Sequence, residues 1–408
     1  MSTVNILRMN KKATPIESDE LCAKSAVDLV TLIKKREISC VDLMESCIQR
    51  YEKVNGAINA VIETNFENAL SVSKDVDKNF EQRIANERFL PIPIGIKDLN
   101  DVAGMKTTYG SPLFQNNKVE NDDDVVAHLK DASAMIFGKT NVPEHGFGAT
   151  TTNPLQGSTG NPFNPLLSAG ASTGGGAAAV ASGIVPLATG SDFAGSLRTP
   201  ASFCGITGVR PSNGIVGTGR RSNIWSPFDV EGPMAKTAAD CKLLLGHMAK
   251  SHPLDPFSKS QSVELLQPAE EIDLKKLKVA VSHDLGFAIM SKSYKHTFYA
   301  KIKKFSPLFA LTKTAHMDLS AAYKTFMTLR SIGFLGDFGL MEKEFGDELG
   351  DVIIKELELA RKLSSQNIAN AFLEHSSIVR QSDAFFDEFD LLITPAASVS
   401  PFEHELEY

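Results

Sequence analysis

Two glycine-rich turns, each carrying one serine, constrain this chain more than any other feature. The polar residues concerned are Lys97 within residues 93–98, Ser172 within 170–176 and Ser196 within 192–198. Each of the three lies where an apolar run meets small residues, so the backbone can bend sharply and a ligand can approach it closely. The pattern predicts one buried polar site assembled from three separate segments.

Amide hydrolysis suits these residue types. It requires a nucleophile, a base that takes the proton and returns it to the leaving nitrogen, and donors for the developing oxyanion. A buried lysine can be the base because burial disfavours the ammonium and lowers its pKa by up to roughly 3–5 units. Ile94 and Ile96 flank Lys97 on a short apolar strand, which favours burial. The candidate oxyanion donors are the successive backbone N–H groups of Phe193, Ala194, Gly195 and Ser196.

From Lys97 to about Pro211, the order and spacing of motifs resemble the amidase signature family. Besides the segments that carry Lys97, Ser172 and Ser196, the matching segments are 107–111, 138–141, 160–162, 177–180 and 200–206. The resemblance implies an α/β fold, a mixed central β-sheet covered by helices on both sides. It also implies that Ser196 is the nucleophile, that Ser172 follows a cis peptide bond and relays the proton, and that Lys97 is the base.

A few positions depart from the family's commonest pattern. They are Ala171, Thr173, Gly176 and Ala194, where glycine, serine, serine and glycine are usual. Ala171 and Ala194 each add one methyl group beside the site. Asp192 and Arg198 flank the nucleophile, and we expect them to form a buried ion pair that shapes the turn without taking part in proton transfer.

Other motif matches lead to different chemistry. Residues 170–174 satisfy G-x-S-x-G, which would make Ser172 the nucleophile of an α/β-hydrolase. That elbow needs a strand immediately before it, whereas residues 161–165 have the composition of turns. A P-loop is excluded because Ser133 stands where that motif requires its first glycine, and Gly174, Gly176 and Ala179 form only a degenerate dinucleotide fingerprint.

Composition narrows the class of protein. The 408 residues carry 42 basic and 49 acidic side chains, a net charge of −7 that argues against nucleic acid as a partner. No run approaches the ~18 apolar residues of a membrane span, and residues 1–12 lack the apolar core of a signal peptide. Five cysteines without C-x-x-C indicate reduced thiols and a cytoplasmic location. The histidine spacings match no metal motif, so we expect no metal and no cofactor.

The chain divides by pattern into two parts. Residues 1–83 are predicted to be helical, with Ser25 and Ser39 capping two helices. Residues 84–408 are predicted to form the α/β core, with a linker at 264–274 and a helical excursion over about 291–389. The expected strands are the apolar runs 92–96, 134–137, 185–189, 277–282 and 391–394.

Relative to the family pattern, the chain stops early after residues 394–397. We expect the short C-terminus to leave an open sheet edge that favours self-association into a homo-oligomer. Besides a small-molecule amide hydrolase, two alternatives remain: a catalytically silent relative that serves as a binding module, and a transamidase that resembles the A subunit of amidotransferases. The substrate-pocket candidates, by position only, are Met105, Tyr109, Phe147 and Phe193.

Overall fold

The computed structural model describes residues 21–221, 223–258, 265, 267 and 269–406. Residues 1–12 and positions 264, 266 and 268 of the predicted linker lie outside the described residues. The described residues form two compact units: the first comprises those before 269 together with residues 401–406, and the second is Ala269–Ser400. The segment boundaries drawn from the sequence stay predictions.

Helices open the first unit, and the first two of them begin at the expected caps. They are α1 (Ala26–Lys34), α2 (Cys40–Ile58), α3 (Phe66–Lys78) and α4 (Phe80–Ile84). Ser25 Oγ accepts the amide of Asp28 at 3.1 Å, and Ser39 forms a capping box with Asp42. These side chains satisfy backbone N–H groups that have no partner within the helix.

A six-stranded mixed sheet lies at the centre of the first unit. Its members are β1 (Val61–Thr64), β2 (Pro93–Lys97), β3 (Met135–Thr140), β8 (Leu187–Asp192), β9 (Thr207–Gly208) and β10 (Val230–Ala235), in the spatial order β1-β3-β2-β8-β10-β9. The strands β3, β2 and β8 run parallel, and β1, β10 and β9 pair antiparallel at the two flanks. The carboxyl ends of the parallel strands therefore meet at one edge of the sheet.

The remaining elements of this unit are short hairpins and helices around the sheet. They are β4 (Thr152–Asn153), β5 (Gly157–Ser158), β6 (Gly160–Asn161), β7 (Asn164–Ser168), α5 (Asp124–Asp131), α6 (Gly174–Ala181), α7 (Arg198–Cys204) and α8 (Ala238–Met248). The described residues Gly174–Val180 of α6 are all buried. Glycine is required at position 175, because a Cβ there would lie 2.3 Å from the backbone nitrogen of Asn141. The small residues of the Ser172 turn are thus needed for close packing as well as for the site.

Three strands of the sheet differ from the sequence-based expectation. Val61–Thr64 forms β1 inside the segment predicted to be helical, and Thr207–Gly208 and Val230–Ala235 form β9 and β10 where no strand was expected. β1 has only four residues, and β10 contains Gly232 and Pro233, which are unfavourable in strands. Pairing with β3 and β8 decides their conformation, because their own composition does not.

The second unit contains a three-stranded parallel sheet and long helices. Its elements are β11 (Lys278–Val281), α9 (Lys292–Phe305), β12 (Leu311–Thr314), α10 (Ala322–Phe345), α11 (Asp351–Arg361), α12 (Ser365–Glu388) and β13 (Leu391–Ile393). β11 is central, with β12 and β13 on either side. The predicted helical excursion therefore contains one strand, β12, whose alternation of polar and apolar residues is too short to stand out.

Candidate active site

Lys97 is the last residue of β2, at the sheet edge where the parallel strands end. Its side chain is fully buried, and its Nζ donates to Ser172 Oγ at 2.8 Å. The same Nζ contacts Ser191 on neighbouring β8, at 3.0 Å from the hydroxyl and 3.3 Å from the carbonyl oxygen. The apolar residues of β2 thus carry the lysine into the interior, where three oxygen atoms surround its amine.

Burial lowers the pKa of Lys97 to about 8. The negative charges of Asp229, Asp192 and Glu231 oppose this shift but do not cancel it. A substantial fraction of the side chain is therefore neutral in mildly alkaline solution, which is the state that can accept a proton.

Ser172 lies in the turn that leads into α6. The peptide bond between Ala171 and Ser172 is cis, and the serine is buried. Thr151 Oγ1 donates to the carbonyl of Gly170 at 2.7 Å and accepts the amide of Gly174 at 3.1 Å, so one threonine holds both sides of the turn.

Ser196 lies in the turn between β8 and α7. The amide of Thr173 donates to the carbonyl of Ser196 at 3.2 Å, so the two glycine-rich turns are in direct contact. The structure thus brings Lys97, Ser172 and the Ser196 turn together from positions that are up to about a hundred residues apart in the sequence. The expectation of turns at residues 161–165 holds only in part, because β7 begins at Asn164 and ends at Ser168, four residues before Ser172. This strand pairs with β6 in a two-stranded sheet and lies outside the six-stranded sheet, unlike the strand that leads into the nucleophile elbow of an α/β-hydrolase.

Asp192 holds the Ser196 turn from inside. Its carboxylate is buried and accepts the amides of Gly195 at 2.8 Å and Leu197 at 3.1 Å. Burial by itself raises the pKa of Asp192, but Arg198 and the two amides outweigh burial and lower it to about 2. Asp192 is therefore ionised throughout the working pH range and cannot be a proton shuttle.

Two sequence-based expectations about this turn need correction. The Asp192–Arg198 pair exists at 2.9 Å, but the Arg198 side chain is 48% exposed, because it begins α7 at the surface, so only the carboxylate is buried. The Gly195 amide is occupied by Asp192 and leaves the predicted oxyanion set. Among the described residues, the amides of Ala194 and Ser196 have no hydrogen-bond acceptor.

Several residues near the site were missed by the sequence analysis. Arg210 adds a second cation to Asp192, at 3.2 Å from Oδ1. Asp98, directly after Lys97, forms a fully buried ion pair with Lys139 at 2.9 Å, and Lys139 Nζ also donates to Thr107 Oγ1 at 2.9 Å. The only sequence signal was that Asp98 and Lys139 lie inside two of the recognised motifs.

An aromatic cluster lies beside the Ser172 turn. Tyr109 stacks on His145 with ring centroids 6.3 Å apart, and Phe114 contacts both rings edge-on. Burial lowers the pKa of His145 to about 4, so the imidazole is neutral near pH 7. A Cβ on Gly146 would lie 3.6 Å from Ser172 Oγ, which places this loop next to the serine. Of the other pocket candidates, Met105 is buried and Phe193 packs against Phe228.

The described residues include no group of three metal-binding side chains, and none of their helices is long and apolar enough to cross a membrane. The cysteines Cys22, Cys40, Cys47, Cys204 and Cys241 are all buried, and none of them forms a disulfide.

Known proteins resemble this chain in sequence and in fold. A family model described as Amidase matches residues 42–408. An acylamidase of Rhodococcus erythropolis is 30% identical over 383 residues, which span 93% of this chain and 80% of the relative. The A subunit of a glutamyl-tRNA(Gln) amidotransferase from Nitrosococcus oceani is 34% identical over 285 residues, 70% of this chain and 59% of that protein. The crystal structure of a bacterial aryl acylamidase of the amidase signature family superposes with a TM-score of 0.83 at 25% identity, covering 93% of this chain and 81% of that one.

Because the family model matches most of its length, this chain belongs to the amidase family. The resemblance and the mixed α/β fold expected from the motifs are confirmed.

Proposed function

We propose that this protein hydrolyses carboxylic amides through an acyl-enzyme formed on Ser196. The observation that carries the proposal is the buried Lys97 amine at 2.8 Å from Ser172 Oγ, with the Ser172 turn hydrogen-bonded to the Ser196 turn. Similarity to an acylamidase and to an aryl acylamidase supports the C–N bond of an amide as the bond cleaved.

In the first half of the reaction, Ser196 Oγ attacks the carbonyl carbon. Its proton passes to Ser172, and Ser172 passes its own proton to neutral Lys97. The tetrahedral intermediate then collapses as the Lys97 ammonium returns a proton, through Ser172, to the leaving nitrogen. The amine departs and the acyl group remains as an ester on Ser196.

In the second half, water attacks the ester and loses its proton along the same relay. The carboxylic acid product leaves, and Ser196 recovers its hydroxyl. Both halves develop negative charge on the former carbonyl oxygen, for which the amides of Phe193, Ala194 and Ser196 are the proposed donors. Asp192 contributes by fixing the turn that presents these donors, through the Gly195 and Leu197 amides.

A fluorophosphonate probe followed by peptide mass spectrometry tests the assignment. The adduct should be on Ser196, and Ser196→Ala should abolish labelling while circular dichroism stays unchanged. Ser212→Ala, at an exposed serine of the same unit, is the matched control and should label like the parent protein. An adduct on Ser172 would instead make Ser172 the nucleophile and contradict the proposal.

Similarity to the A subunit of an amidotransferase motivates a second candidate, transfer of ammonia from glutamine. Release of ammonia from glutamine, but not from simple aliphatic or aryl amides, would favour this candidate over simple hydrolysis. We further propose a cytoplasmic location, because the five cysteines are buried thiols without disulfide partners.

A further inference from the structure

Glu231 is placed one side chain away from the proposed base. In the antiparallel pair of β8 and β10, Glu231 lies directly opposite Ser191. Opposite residues in such a pair project from the same face with their Cβ atoms about 4.5–5.5 Å apart. Ser191 in turn accepts two hydrogen bonds from Lys97 Nζ. The strand register therefore places the Glu231 carboxyl group next to Ser191, which binds the Lys97 amine.

The loop after β2 holds this carboxyl group in place. Asn100 Nδ2 donates to Glu231 Oε1 at 2.7 Å and also contacts Asp123 Oδ2 at 3.3 Å. The backbone amide of Asn100 donates to the carbonyl of Lys97 at 2.9 Å. Asn100 thus links the Glu231 carboxyl group to the backbone of Lys97.

We propose that Glu231 is a positioning residue whose carboxylate opposes loss of the Lys97 proton and thereby contributes to the pH at which Ser196 becomes reactive. The proposal rests on the proposed function of Lys97 as the base. It assigns to Glu231 no contact with substrate and no proton transfer of its own.

Other charges also face this pair. They are Arg220, Asp123 and Asp229 around Glu231, and Asp229 and Asp192 around Lys97. Burial raises the pKa of Glu231 to about 7, and Arg220 opposes that rise only in part. The Glu231 carboxylate is one of the negative charges that raise the pKa of Lys97. Over the range in which Lys97 loses its proton, the Glu231 carboxylate opposes that loss.

The pH dependence of fluorophosphonate labelling at Ser196 tests this role without knowledge of the natural substrate. Glu231→Gln removes the charge, while its amide oxygen can still accept the hydrogen bond from Asn100. We expect the activating limb to shift to lower pH by at least about half a unit, which is about threefold faster labelling below the plateau. The plateau rate should stay unchanged, since Glu231 does not touch the reacting atoms.

Glu120→Gln removes an exposed carboxylate of the same unit and is the matched control, expected to leave the profile in place. Asn100→Ala, which withdraws a hydrogen bond favouring the ionised form of Glu231, should shift the limb in the same direction by less. If the profiles of Glu231→Gln and the parent protein coincide, the proposal is overturned.

An NMR titration of the Lys97 Cε signal, assigned with Lys97→Ala, provides a readout that does not need activity. It should report a lower pKa in Glu231→Gln than in the parent protein, and equal values would overturn the proposal. Absence of Ser196 labelling in the parent protein contradicts the proposed function instead, and the NMR result then still decides the role of Glu231.

Discussion

The two compact units treat charged and apolar side chains in opposite ways. The first unit buries Lys97 and Lys139 completely, among apolar side chains as large as Phe137. The second exposes apolar side chains along α12, where Phe372 is 58% and Leu373 is 69% exposed. Of the described side chains of α12, only that of Ala371 is buried.

The contrast shows where the chain can support chemistry. Burial of an amine is costly, and surrounding oxygen atoms or an opposite charge reduce that cost; in the first unit both lysines have such partners. An exposed apolar face, by comparison, is a surface suited to association. Substitutions of the buried lysines in the first unit should therefore change activity and stability, whereas substitutions on the exposed face of α12 in the second unit should change self-association.

The largest effect is expected from Lys97→Met. It removes the proposed base, and the rate should fall by about 10²–10⁴-fold. In the parent protein the rate should rise with pH through about 8 and then level off, because only neutral Lys97 accepts the proton. Lys324→Met, at an exposed lysine of the second unit, should retain full activity. A flat profile in a step shown to be chemical would contradict this role.

The same substitution should increase stability. The folded-state pKa of Lys97 is lowered, so folding disfavours the ammonium, and stability rises as pH increases from about 8 to the unfolded value near 10.5. At pH 7 the buried ammonium costs the folded state about 3 kcal/mol. Urea unfolding at pH 7 should show Lys97→Met to be more stable than the parent protein, and a less stable variant would show that the Lys97 contacts outweigh the cost of burial.

The next effect compares two ion pairs. Lys139→Met leaves Asp98 buried without its cation, and we expect a loss of about 3–5 kcal/mol in the free energy of unfolding. Lys313→Met breaks the pair with Glu388 in the second unit, whose side chains are 55% and 58% exposed. That loss should stay below about 1 kcal/mol. Equal losses, measured by urea unfolding, would remove the distinction between the units.

The smallest effect concerns association. Leu373→Glu places a charge within the exposed apolar side chains of α12 and should shift the protein toward monomer in sedimentation velocity. Phe163→Glu, at an equally exposed phenylalanine of the first unit, should leave the distribution unchanged. A parent protein that is monomeric at all concentrations would contradict the predicted homo-oligomer.

Local features of the chain were predictable from its sequence. The Ser25 and Ser39 caps begin α1 and α2 because a side-chain oxygen satisfies amides only two or three residues away. The apolar runs before Lys97 and before Asp192 form strands, as expected for short buried segments. The catalytic roles were implied by the family resemblance, since Lys97 alone resembles any lysine at the end of a strand.

Only the tertiary structure determined the contacts that set the charge of the site. Ser191 contacts Lys97 because β8 lies beside β2. Glu231 lies opposite Ser191 because of the register between β10 and β8. Asp98 follows β2 and pairs with Lys139 on β3, which is forty-one positions away in the sequence. Neither strand order nor register is written in local composition, because both arise from pairing between segments far apart in the chain. The sequence by itself therefore determined which residues are available for chemistry. The packing of the sheet decided which of them lie close enough to change one another's protonation.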